Sequence, residues 1–94
     1  MVRMDWVVRE LMARYGIEVE PAALNYNSHN YDELLTVNGS PPVRLQVLED
    51  EIRMFWYYPS DKPDPLNPKQ VVNLSNPHAG EIVRDTIMKV QAKV

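Results

Sequence analysis

Apolar residues near the start of the chain recur at helical spacing. Met4, Val7, Val8, Leu11, Met12 and Tyr15 fall on one arc, with Arg9, Glu10 and Arg14 off it. This predicts an amphipathic helix from about Asp5 to Tyr15. Gly16 follows where a left-handed cap residue is wanted. A second helical pattern closes the chain: Ala79, Ile82, Val83, Ile87, Val90 and Val94 share an arc that Glu81, Arg84, Asp85 and Lys89 avoid. Asn76-Pro77 reads as an N-cap followed by proline at the first helical position. Gly80 lies one turn inside that boundary, so it either permits close packing or marks a start one turn later. Asp85 and Lys89 have the favourable order for an i,i+4 ion pair.

Between the helices the pattern changes to alternation. Ile17-Glu18-Val19-Glu20, ending at Pro21, reads as a short edge strand or an extended connection, and residues 25–30 as a turn-rich loop. Tyr31 to Val37, Val43 to Leu48 and Glu51 to Tyr58 are three strands. They are joined by Asn38-Gly39-Ser40-Pro41-Pro42 and by Glu49-Asp50. Connections this short force antiparallel pairing, because a parallel return needs a crossover of about a dozen residues. Pro59 to Pro68 carries four prolines and is excluded from helix and sheet interior alike. Gln70 to Leu74 is a possible fourth strand. The expected fold is α+β: an N-terminal helix, an antiparallel meander of three or four strands, a proline-rich loop, and a C-terminal helix packed on one sheet face.

Alternation gives each strand two faces. Val43, Leu45 and Val47, with Ile52, Met54, Trp56 and Tyr58, form the inner face beneath the helices. The other face carries Arg44, Gln46 and Leu48, then Arg53, Phe55 and Tyr57. Both faces of the first strand carry leucine. Leu48, Phe55 and Tyr57 together are unusual on a solvated face. Either the proline-rich segment or the Leu24 region covers them, or they form a docking surface of the aromatic-plus-arginine kind enriched at interfaces. Trp6 is also displaced, standing opposite Val8 and Leu11 on the polar side of its helix; Met88 is off the apolar arc of the last helix. Trp6, Arg44, Leu48, Arg53, Phe55 and Tyr57 are therefore the candidate partner-binding residues.

Composition narrows the chemistry. Ninety-four residues make one domain with a thin stability margin, which association with a partner would widen. The net charge of −3 argues against non-specific nucleic-acid binding. With no cysteine, disulfides, thiolate catalysis and cysteine zinc sites are excluded. No long apolar run suggests a signal peptide or membrane span, so cytoplasmic residence is the expectation. His29 lies near Asp32 and Glu33 in a loop, and His78 precedes Glu81 at a helix start; neither has a second ligand cluster at metal spacing. The serines lie in turns or caps, and three glycines cannot build a phosphate-cradling loop.

The expectation is a non-enzymatic protein-binding module (adaptor, inhibitor or chaperone-like) that binds a protein partner or a second copy of itself as a homodimer, with no cofactor or metal. The order of elements is similar to that of small acidic type III secretion chaperones, although no motif here is specific to them. A small-molecule binder with an aromatic pocket between the sheet and the Pro59–Pro68 loop, walled by Trp56, Tyr57 and Tyr58, is the alternative. A single-strand nucleic-acid binder stacking bases on Phe55 and Tyr57 is disfavoured by the charge.

Overall fold

The computed structural model describes residues 6–21, 33–64 and 66–92, with only the backbone described for Glu33 and Leu34. The elements run α1 (Trp6–Ala13), β1 (Glu20–Pro21), β2 (Glu33–Val37), β3 (Val43–Val47), β4 (Glu51–Phe55), β5 (Gln70–Asn73) and α2 (Ala79–Ala92). The strands form one antiparallel sheet in chain order, β1-β2-β3-β4-β5. The fold is thus α+β, with five strands where three or four were expected. The added strand is β1, whose two residues pair Glu20 with Thr36 and Pro21 with Leu35. Only the end of the alternating 17–21 stretch enters the ladder, and Pro21 at the edge has no N–H to donate to it.

Helix ends follow local chemistry. Gly16 takes φ 64°, a left-handed conformation that glycine adopts without steric penalty, and the Ile17 N–H donates back to the Leu11 carbonyl at 2.9 Å. At the start of α2, the Asn76 side-chain oxygen accepts the His78 N–H at 2.9 Å and the Asn76 carbonyl accepts the Ala79 N–H at 3.0 Å. Asn76-Pro77 therefore forms a capping turn, and the regular helix begins just after it, at Ala79. Gly80 sits where the two helices approach: a side chain there would meet the Glu10 carboxylate. Asp85 binds its neighbour Arg84 at 2.7 Å, not the expected Lys89. The Arg84 guanidinium also lies 4.4 Å from the centre of the Tyr15 ring, tying α2 to the end of α1.

The core sits between the helices and the inner sheet face. Two inner rows cross the strands in register: Leu35, Leu45 and Met54, and then Val47, Ile52 and Val72. All six are buried and join Val37, Val43, Val7, Val8 and Leu11 of α1 and Ala79, Val83, Ile87 and Val90 of α2 in one cluster. This is the inner face that alternation predicted. Met12, placed on the apolar arc by spacing, is instead 43% exposed. Met4 and Val94 lie outside the described residues.

The third long strand ends earlier than the sequence pattern suggested. Regular pairing stops at Phe55, and Trp56 to Tyr58 leave it. Asp61 holds the far end of this segment. Its carboxylate accepts the Tyr58 N–H at 2.9 Å, and its own N–H donates to the Tyr58 carbonyl at 2.8 Å, so both backbone groups of Tyr58 are used in a turn. The proline-rich stretch then folds on itself. Asp64 accepts the Leu66 N–H and the Asn67 side-chain amide, an Asx-type turn, and the Lys69 N–H returns to the Met54 carbonyl at 2.9 Å.

Candidate functional site

Register assigns the outer sheet face position by position. One row runs Glu20, Thr36, Arg44, Phe55, and the next Gln46, Arg53, Val71. No helix lies on this face among the described residues, since α1 and α2 both pack on the other side. Arg44 is exposed, Val71 is 50% exposed, and Arg53 is half-buried beside Glu51, which accepts its Nε at 2.7 Å. Residues 51 and 53 point the same way from β4, so this ion pair is built by the strand period itself.

The six candidate partner-binding residues do not form one surface. Arg44, Arg53 and Phe55 share the outer face. Leu48 stands half-buried at its hairpin end, its N–H donating to the Glu51 carbonyl at 2.8 Å. Phe55 is only 7% exposed and lies outside the main core cluster, so it packs within the protein and presents little surface outward. Leu66 is 86% exposed, so the leucine of the proline-rich loop does not cover Phe55. Leu24, the other expected cover, lies outside the described residues. Trp6 is 43% exposed on α1, in the helical layer on the far side of the sheet. Met88 is likewise exposed, on α2.

Tyr57 belongs to a second constellation. The Lys69 ammonium lies 5.7, 5.4 and 5.8 Å from the ring centres of Trp56, Tyr57 and Tyr58, within the roughly 6 Å reach of a cation–π contact. The same nitrogen donates to Asp61 at 3.0 Å. Tyr58 is held from its far end, its hydroxyl donating to the Val90 carbonyl of α2 at 3.2 Å. The Tyr57 hydroxyl is enclosed with no hydrogen-bond partner among the described residues, an uncommon state for a buried polar group.

The carboxylates of this turn are held charged. The Tyr58 backbone N–H first, and the Lys69 side chain second, lower the Asp61 pKa below its ordinary value. The Asn67 side-chain amide, then the Leu66 N–H, do the same for Asp64. The sequence drew attention to the aromatic triple but not to Lys69 or Asp61. An acid three residues after Tyr58, in a proline-rich stretch, is the local turn signal that marks Asp61; nothing local marks Lys69.

Of the histidines, His78 lies 3.8 Å from Glu81 on an exposed first turn, and His29 is outside the described residues. No group of three His, Cys, Asp or Glu side chains that could hold a metal occurs among the described residues. No helix among them is long and apolar enough to cross a membrane. No protein-family model, curated protein or solved structure matches the chain.

Proposed function

We propose that the chain is a small non-enzymatic protein-binding module that docks a protein partner, or a second copy of itself, on the outer face of its sheet. The observation that carries this reading is the row Gln46, Arg53, Val71 beside exposed Arg44, on a face that the helices leave uncovered. Half-exposed Val71 directly opposite Arg53, with Arg44 further along the same face, has the mixed apolar and guanidinium character of interface residues. The face continues to β5, an edge strand of the sheet among the described residues, which carries neither proline nor charge, the devices that usually protect such an edge.

Val71→Lys tests this reading, because it adds charge at an exposed position without touching the core. Light scattering over a range of concentrations reads self-association, and capture from host lysate reads partners. Loss of either in Val71→Lys, with the fold retained, supports the docking face. Wild-type and variant proteins that are equally monomeric and capture the same partners equally would refute it.

A further inference from the structure

We propose that Trp56, Tyr57, Tyr58 and Asp61 form a binding site for an alkylammonium group, which the Lys69 side chain occupies at rest and a free alkylammonium ion enters in its place. Three aromatic rings around one nitrogen, with a carboxylate at 3.0 Å, make the combination that recognises an ammonium: ring faces attract the cation, and the carboxylate offsets its charge. The occupant seen in the structure is itself an alkylammonium, so the ligand class is given by the chain's own side chain.

Asp61, Tyr58 and Trp56 are each held by contacts other than that occupant. Asp61 is fixed by its two backbone hydrogen bonds with Tyr58, and Tyr58 is fixed by the Val90 carbonyl. Trp56 and Tyr58 both pack against the main core. The backbone of Lys69 is anchored separately on the Met54 carbonyl, so only its side chain has to swing away. That side chain is 32% exposed, which gives a ligand an approach from solvent. A quaternary ammonium suits the rings especially well, as in other aromatic cages, whereas a primary one keeps the hydrogen bond to Asp61. The site shares no residue with the row Gln46, Arg53 and Val71, and it gives the aromatic-pocket alternative a ligand class.

The test vacates the site with Lys69→Ala in the full chain. Tetramethylammonium and n-butylammonium chlorides are titrated against sodium chloride at equal ionic strength. Amide and indole NMR shifts report binding, with the Trp6 indole as an internal control. Saturable shifts at residues 56–58 and 61 are expected with at least one of the two ions. Affinity should be at least about tenfold higher than in the wild type, where Lys69 competes for the site. Asp61→Asn added to Lys69→Ala should weaken binding of n-butylammonium. With the variant folded, shifts no larger than those from sodium chloride overturn the proposal. If Lys69→Ala does not fold, refolding by either ammonium salt but not by sodium chloride supports it, and failure of both overturns it. These shifts are read on the monomeric chain without any partner, so their absence and the failure of the docking reading, which is read by light scattering and capture, are separate results.

Discussion

The carboxamide of Gln91 fills the space where a side chain at Gly39 would stand. From there its Nε2 lies within hydrogen-bonding distance of the carbonyls of Val37, Asn38 and Pro41, at 3.3, 3.2 and 3.2 Å, so the last turns of α2 close the connection between β2 and β3. Gly39→Ala displaces the amide and should cost about 1 kcal/mol, as should Gln91→Ala, because solvent reaches this connection and replaces part of what is lost. The two changes should not add. Denaturant unfolding of both single variants and the double variant is expected to show Gly39→Ala nearly neutral once Gln91 is already alanine.

Gly16 has a different reason to be glycine. Nothing lies within 4 Å of the position a Cβ would take, so space is not limiting, but its φ of 64° is. Gly16→Ala should destabilise by about 1 kcal/mol through backbone strain alone. Gly16→Asn should lose less, since asparagine tolerates the left-handed region better. Equal losses in thermal unfolding would point away from a conformational cause.

Phe55 and Arg44 are directly opposed across β4 and β3, yet truncating them should have unlike effects. Phe55→Ala removes a ring that is 7% exposed and should cost about 3 kcal/mol or more. Arg44→Ala, at an exposed position, should stay within about 0.5 kcal/mol of the wild type. Chemical denaturation measures both. A near-neutral Phe55→Ala would mean that the ring contributes little to the protein's own packing.

The turn after β4 should respond to acid. The pKa of Asp61 and of Asp64 is lowered in the folded chain, so each carboxylate stabilises the fold fully above its unfolded value near 3.8. That contribution fades as the pH falls through the lower folded values. The thermal midpoint of Asp61→Asn should therefore lie below that of the wild type at neutral pH, and the gap should close as the solution is acidified below about pH 4. A gap independent of pH would show that the carboxylate charge is not its source.

The two helices, the inner sheet face and the caps at Gly16 and Asn76 were legible in the sequence. Each depends on periodicity or on chemistry within a few residues. The helical arcs, the alternation through Val43 to Val47 and Ile52 to Met54, and the asparagine–proline pair all carry their signal locally. The outer-face placement of Arg44, Arg53 and Phe55 follows from the same alternation, but the burial of Phe55 does not. Period two tells which way a side chain points, not what lies against it. Alternation over residues 17–20 left an edge strand and an extended connection both open, and tertiary structure decided that only Glu20 and Pro21 pair.

The same holds for the close relationships that carry the functional readings. Lys69 meets Trp56, Tyr57 and Tyr58 because the proline-rich stretch turns back on Met54. Gln91 meets Gly39 because α2 lies across the sheet. Trp6, grouped with the sheet residues by its displacement from an apolar arc, falls on the other side of the molecule because both helices cover one face. Sequence pattern determined which residues face inward and where the elements begin. Packing decided which outward residues come together, because that depends on where distant segments of the chain come to lie.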